Sequence, residues 1–195
     1  VLIELFEIFG EESLSKFEGM FSGCIYNQTK KSLFLFRDHF GIKPRYYSTL
    51  DNNGIIFCSE IPPIINYLDK EVSPNKNTIR TYLDLGLYDH SNNTFFENIF
   101  CLKPGAYINY CLEDSSFIEK NWFDLNKFVT NNVYENADYE ELLLICEDKL
   151  RKSISKNLIS DVEVGINISG GIDSSLLAHF ACELNPDIKF FNMNY

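Results

Sequence analysis

Seven consecutive residues near the end of the chain, Ser169-Gly170-Gly171-Ile172-Asp173-Ser174-Ser175, have the types and spacing to do chemistry. Ahead of them Val162, Val164, Ile166 and Ile168 alternate with other residues, as in a half-buried strand. Behind them comes an apolar stretch with helical spacing. The two glycines lack a Cβ, so the backbone there can take positive φ and come close to a ligand. Successive N–H groups in such a turn form an anion-binding nest. The helix that follows aims its positive dipole end and its unpaired N–H groups at the same point. The hydroxyls of Ser169, Ser174 and Ser175 can donate to phosphate oxygens. Asp173 alone would repel a phosphate, but it fits if it holds Mg²⁺, which binds through one or two carboxylates together with substrate phosphates. The pattern predicts a polyphosphate with its metal ion. It is not the Walker loop, which needs a Lys before its Ser/Thr, and it lacks the spacing of the dinucleotide fingerprint. Five fixed positions recur by chance about once per million positions; the bland alternative is a plain strand, turn and helix.

This segment resembles the pyrophosphate-binding loop Ser-Gly-Gly-x-Asp-Ser of the N-type ATP pyrophosphatases, and Asp161-Val162-Glu163-Val164-Gly165 resembles the lead-in found in asparagine synthetases. Other stretches resemble the same family in the same order. Phe36-Arg37-Asp38-His39-Phe40-Gly41-Ile42-Lys43-Pro44-Arg45-Tyr46-Tyr47 is similar to Arg-Asp-x-x-Gly-x-x-Pro-Leu-Tyr-Tyr of the glutaminase domain in glutamine-hydrolysing asparagine synthetases. Phe57-Cys58-Ser59-Glu60 follows where the family has Phe-Ala-Ser-Glu. Phe96-Glu97-Asn98-Ile99, Leu102-Lys103-Pro104-Gly105 and Trp122 resemble its connecting stretch. Arg45 departs from the family's Leu, and Asn167 from a commonly apolar position.

The resemblance implies an ATP-dependent amidotransferase. Glutamine is hydrolysed in one domain, ATP activates aspartate as an acyl-adenylate in the other, pyrophosphate leaves, and ammonia attacks the activated carbon. It implies that Ser169, Gly170, Gly171, Ser174 and Ser175 hold the pyrophosphate and that Asp173 holds Mg²⁺. Asn167 and Met193, at strand ends, line the adenine pocket, where the backbone does the recognising. The resemblance also implies an internal piece of a longer protein. Val1-Leu2-Ile3-Glu4-Leu5 resembles a point well inside the glutaminase domain, so the family's N-terminal Cys nucleophile has no counterpart here, and the piece is expected not to hydrolyse glutamine. Two alternatives stay open: a relative that amidates a sugar acid or another carboxylate, and a non-catalytic nucleotide-binding remnant. A homodimer is also left open.

The elements that must position these residues fall into two parts. The expected fold is an α+β, glutaminase-like sandwich piece over residues 1–125, then the start of an α/β parallel-sheet ATP pyrophosphatase domain over 137–195. The polar stretch 126–136 serves as linker. Up to about Tyr67 the pattern is mostly β: strands at 21–26, 33–36 and 55–58, with turns at 27–31 and 51–54. A helix opens the chain with Val1, Leu5 and Ile8 on one face. Further helices are expected at 78–87, 137–158 and 173–184, and strands at 105–110 and 188–193. The last strand, helix and strand form a β–α–β unit, whose ligands bind outside the carboxyl ends of the strands. Arg37 and Asp38 read as a buried structural pair, and Gly41 and Pro44 as fixing a turn. Tyr46 and Tyr47 read as core, and Glu140, Glu141, Glu147 and Asp148 as a solvated helix face.

The formal net charge of -11 argues against nucleic acid or an anionic membrane as a partner. No apolar run approaches the ~20 residues needed to span a bilayer. The six cysteines lie apart without Cys-x-x-Cys spacing, which suits reduced thiols in a cytoplasmic protein.

Overall fold

In a computed structural model, the residues described are 1–51, 54–68, 72–129 and 137–192. They divide into two compact units, Val1–Phe128 and Val129–Tyr195.

The first unit is built on a hairpin. Strands β1 (Ser22–Asn27) and β2 (Ser32–Arg37) pair antiparallel, with Asn27 opposite Ser32. The tight connection is closed by the Asn27 side chain, whose Oδ1 accepts from Lys30 N at 2.9 Å. A second antiparallel pair follows, β3 (Tyr46–Thr49) with β4 (Ile55–Cys58), and β5 (Phe100–Cys101) joins the other side of β3. β6 (Ala106–Cys111) returns to pair with β2, and β7 (Phe117–Asn121) pairs with β6. The result is two antiparallel sheets, ordered β1-β2-β6-β7 and β4-β3-β5.

The strand period of two decides how these sheets pack. Leu35 of β2, with Ala106, Ile108 and Tyr110 of β6, meets Tyr47, Leu102 and Phe57 in one cluster that joins the two sheets. The intervening Phe34 and Phe36, with Tyr107, point to the opposite face. There they meet Leu14, Phe6, Phe17 and Trp122. The four-stranded sheet is therefore covered on both faces, which is why β2 reads Leu-Phe-Leu-Phe without a polar residue between Leu33 and Phe36. The outer cover comes from helix α1 (Leu2–Phe9) and a 3-10 segment, Gly10–Lys16. The face of α1 differs from the expected one. Val1 and Ile8 are 88% and 71% exposed, while Phe6 stacks 4.7 Å from Phe34. Glu4 and Glu7 lie on one side of this helix and mark it as the outward one, with Ile8 beside them, while Leu5 and Phe6 on the other side are half-buried.

Residues 61–68, expected within a mostly β region, form helix α2 (Ile61–Leu68). Pro62 and Pro63 sit in its first turn, where a missing N–H costs nothing, and Ile64 is fully buried. Helix α3 (Lys76–Leu85) starts on Asn75, which caps Thr78 N at 3.1 Å, and stops where Gly86 turns left-handed at φ 71°. This stop falls short of the expected Leu87.

Arg37 and Asp38 bind backbone, and not each other as a pair. Asp38, 1% exposed, accepts N–H bonds from Phe21, Phe40, Ile42 and Lys43 at 2.9–3.2 Å. Its own carbonyl accepts from Gly41 N and Gly105 N. The Arg37 guanidinium donates to the carbonyls of Lys43, Leu102 and Gly41 and to Cys101 Sγ. Gly41, at φ 67°, brings the loop against Arg37, where a Cβ would stand 2.8 Å from Arg37 Cζ.

The second unit holds helix α5 (Tyr139–Asn157), strand β8 (Gly165–Asn167), helix α6 (Ile172–Leu184) and strand β9 (Lys189–Phe191). A short helix, α4 (Asn126–Val129), falls within the expected linker, whose residues 130–136 lie outside the described ones. Asp138 caps α5 by accepting from Glu141 N at 2.8 Å. One face of α5, Leu150 and Ile154, packs with Phe180 and Ala181 of α6, with Ile188 and with Ile166 of β8. Arg151 ties the helices together further by pairing with Glu147 and Glu183. β8 is shorter than the alternation suggested: Val162 is 76% exposed and outside the strand. β8 and β9 pair parallel, and among the described residues this parallel sheet has these two strands.

Burial raises the Asp38 carboxyl, and the N–H donors of Lys43, Ile42, Phe40 and Phe21 outweigh it, so the group ionises below the usual carboxylate range. Its stabilisation is complete above the unfolded value of about 3.9 and is lost as the pH falls through the lower folded value. Asp38→Ala leaves several buried N–H groups without an acceptor and destabilises the first unit by about 3–5 kcal/mol at neutral pH. The deficit shrinks below about pH 4. Urea denaturation across pH checks both statements.

Candidate polyphosphate-binding loop

Residues 168–171 connect the end of β8 to the start of α6, and they lie at the carboxyl end of a parallel strand pair. Ile168 N donates to Phe191 O at 2.8 Å, so the ladder runs to the edge of the loop. Gly165 lets β9 approach closely: a Cβ there would meet the Phe191 ring at 2.5 Å.

Of the two loop glycines, only Gly170 uses the left-handed region, at φ 80°, and a Cβ there would meet nothing within 4 Å. Gly171 has ordinary extended backbone at φ -76° and is the N-cap of α6, with no side chain capping it. The first intrahelical bond is Ser175 N to Gly171 O at 3.1 Å. The N–H groups of Ile172, Asp173 and Ser174 therefore precede the helical ladder and point out of its N-terminus.

The three hydroxyls gather at the same point. Ser169 Oγ and Ser174 Oγ are 3.1 Å apart. Ser174 Oγ also accepts from Ser169 N at 3.3 Å and donates to Gly171 O at 3.1 Å, while Ser175 Oγ donates to Gly171 O at 2.8 Å. The hydroxyls thus bond to one another, to the Gly171 carbonyl and to the N–H groups of Ser169 and Gly171, the last reaching Ser169 Oγ at 3.4 Å. Ser169, Gly170, Gly171, Asp173 and Ser175 are exposed, and Ser174 is half-buried. Asp173 stands in the first turn of α6, where the helix dipole favours a negative charge.

An anion with a divalent cation fits this arrangement. Orphan helix N–H groups and hydroxyls supply donors, and Asp173 supplies one hard oxygen ligand of the kind Mg²⁺ takes. Among the described residues no group of three or more His, Cys, Asp or Glu stands ready to hold a metal ion by itself. Any metal at Asp173 would therefore depend on phosphate oxygens for the rest of its shell. Asn167 is exposed at the end of β8, opposite Phe191. Met193 lies outside the described residues.

The loop brings together Ser169, Gly170, Gly171, Asp173, Ser174 and Ser175, the residues singled out by their spacing. The close approach at Gly165 was not singled out, although a glycine inside a strand pattern signals it. All six cysteines are free thiols. Burial pushes the Cys24 thiol up to about 11 despite the opposing pull of Arg45, so it is a poor nucleophile at neutral pH. Arg45 donates to Ser22 Oγ at 2.9 Å and lies over the Phe57 ring. No helix of the described residues is long and apolar enough to cross a membrane.

Residues 1–123 match the family model described as glutamine amidotransferase domain, and the chain belongs to that family. Residues 146–195 match a second family model, asparagine synthase. Asparagine synthetase [glutamine-hydrolyzing] 2 of Bacillus subtilis (strain 168) is 34% identical over 99% of this chain. Asparagine synthetase [glutamine-hydrolyzing] 1 of the same organism is 29% identical over all of it. Amidase chry2 of Gibberella zeae is 27% identical over 94%. The chain spans 26%, 29% and 26% of the lengths of these three relatives.

The two strand-and-loop glycines separate strain from crowding. Gly170→Ala forces an L side chain into the left-handed region and costs about 1–2 kcal/mol. Gly165→Ala meets the far end of the Phe191 ring, which is 58% exposed and can swing away, and the Lys189 carbonyl at 3.3 Å, which must give by a few tenths of an ångström, so it costs about 1 kcal/mol. Denaturant midpoints of the two variants, followed by helix content, read the difference.

Proposed function

We propose that this chain is part of a glutamine-hydrolysing asparagine synthase, an ATP-dependent carbon–nitrogen ligase of the cytoplasm. Residues 1–125 belong to its glutamine amidotransferase domain and residues 137–195 to its ATP-binding domain. The observation that carries this reading is the order of the two family matches along one chain, amidotransferase then asparagine synthase. The loop geometry supports it from the chemical side.

In this reading the aspartate carboxylate attacks ATP to form an acyl-adenylate as pyrophosphate leaves, and ammonia from glutamine then attacks the acyl carbon and displaces AMP to give the amide. The N–H groups at the start of α6 and the Ser169, Ser174 and Ser175 hydroxyls hold the pyrophosphate oxygens. Gly170 and Gly171 keep the backbone open to them. Donors fixed in place before the reaction stabilise charge as it develops on the leaving group, with little reorganisation. Asp173 holds Mg²⁺, which neutralises phosphate charge that the acidic chain would otherwise repel. Asn167 and Met193 border the adenine. A specific observation favours keeping a second acceptor in view: a relative of comparable identity is named an amidase. The same loop chemistry would then serve a carboxylate other than aspartate.

In the intact protein, Asp173→Ala abolishes pyrophosphate release from MgATP in the presence of aspartate and glutamine, while the fold is retained. Release at the wild-type rate would sink the metal assignment. Pyrophosphate release that ignores aspartate but responds to another carboxylate would select the second acceptor. No release with any carboxylate would mark a non-catalytic remnant.

A further inference from the structure

The imidazole of His39 lies in a box of aromatic rings at the edge of the outer apolar layer of the first unit. Its ring centroid is 4.5 Å from that of Trp122 and 4.7 Å from that of Phe123, in edge-to-face arrangements at 71° and 77°. Phe21 stands edge-on at 6.2 Å, and Phe40 lies at 6.4 Å. Trp122 and Phe21 stack on each other at 6.1 Å, and both pack against the layer that contains Phe34 and Phe36. His39 is half-buried, and among the described residues no group hydrogen-bonds to its ring nitrogens.

A neutral imidazole suits such a box, whereas an imidazolium needs acceptors or water at both of its N–H groups. Its sequence neighbour Asp38 already accepts from four backbone N–H groups and is 1% exposed, so that carboxylate has no oxygen free to turn to the ring. Glu18, the other acid acting on the ring, is exposed and screened by solvent. The remaining charges on the surrounding elements are engaged elsewhere or lie in water. Arg37 holds backbone carbonyls, Lys43 is exposed, Lys120 pairs with Glu11 at 3.9 Å, and Asp124 accepts from Asn126 N at 3.0 Å. Burial accordingly holds the imidazole below its ordinary value of 6.5, against the opposing pull of Asp38 and then Glu18. The chain's single tryptophan is Trp122, whose indole N–H donates to the Arg37 carbonyl at 3.1 Å. A shift of the rings around His39 therefore also loosens the layer from the junction at the end of β2.

We propose that His39 is a proton-operated latch: neutral, it packs with Trp122, Phe123 and Phe21 into a closed outer layer, and protonated, it leaves the rings for water and opens that layer. Because the imidazole is harder to charge in the closed form than in water, the closed form is fully favoured above the ordinary value of about 6.5 and loses ground as the pH falls below it. Between that value and the lower one of the closed form, the ratio of open to closed rises by up to about tenfold per pH unit. Histidine changes charge within this range, so the latch responds to mild acid.

Trp122 fluorescence reads the latch directly. In the 195-residue chain, emission is expected to shift to the red, and the acrylamide quenching constant to rise by about twofold or more, between about pH 7.5 and about pH 5. Asp38, held below the usual carboxylate range, stays ionised across that span, so its own titration does not enter the signal. His39→Gln and His39→Phe, neutral at every pH, should each abolish the change, and the second keeps an aromatic ring in the box, so that one variant serves where the other fails to fold. His90→Gln removes an exposed histidine outside the box and should leave the transition as it is. Dimming of Trp122 with no red shift and no gain in acrylamide access would overturn the proposal, because the imidazolium would then be quenching the indole inside a closed layer. So would a transition that persists in the His39 variants, one that disappears in His90→Gln, or none at all down to about pH 5.

Discussion

The first unit depends on two neighbouring residues at the end of β2 that spend their charge on backbone. Asp38 collects the N–H groups of the loop that follows it and of Phe21 at the entry to β1. Arg37 reaches the other way, to Leu102 and Cys101 beside β5 and to the carbonyls of Gly41 and Lys43. Together they join the end of one sheet to the start of the other at a place where the chain has no regular structure. A charged group that accepts several backbone N–H bonds contributes more than neutral bonds would. It also removes the penalty of burying a loop whose polar groups would otherwise be unpaired.

From that junction the sandwich follows. With the two sheets held at one end, β2 and β6 present alternate side chains to two different apolar layers. A slip of one residue would exchange the layers, setting Phe34 and Phe36 against Tyr47 and Leu35 against Leu14. The shapes are not interchangeable. Gly23 illustrates this, since a Cβ there would meet the Phe36 ring at 2.5 Å. Trp122 closes the outer layer by donating its indole N–H to the Arg37 carbonyl at 3.1 Å, which ties that layer back to the same junction.

The second unit uses different physics for a different purpose. Its loop is neither buried nor held by a charge network. The strand pair β8–β9 sets where it begins, and the packing of α6 on α5 sets the direction of the helix that follows. The Ser169 and Ser175 hydroxyls are exposed and that of Ser174 is half-buried, and the three bond within the loop itself. Stability in the first unit and availability in the second are therefore built from opposite choices about burying polar groups.

Much of this was legible in the residues. The continuous apolar run at 33–36 announced a strand, Asn75 and Gly86 carry the signals of a helix start and stop, and the spacing from Ser169 to Ser175 announced a glycine turn into a helix, because turn chemistry and caps act within a few residues. What only the tertiary structure decided was the identity of distant partners. In α1 the side opposite Glu4 and Glu7 holds Leu2, Leu5, Phe6 and Phe9, and only the position of Phe34 decided that Phe6 makes the ring contact. Arg37 and Asp38, adjacent and opposite in charge, looked like a pair, but chain segments up to 65 residues away offered better-placed backbone groups. The packing of Tyr47 between Phe100 and Phe117 likewise arises because β3, β5 and β7 come together from separate stretches of chain. Local propensity fixes which elements form. The closing of long loops, which no short stretch encodes, decides what they meet.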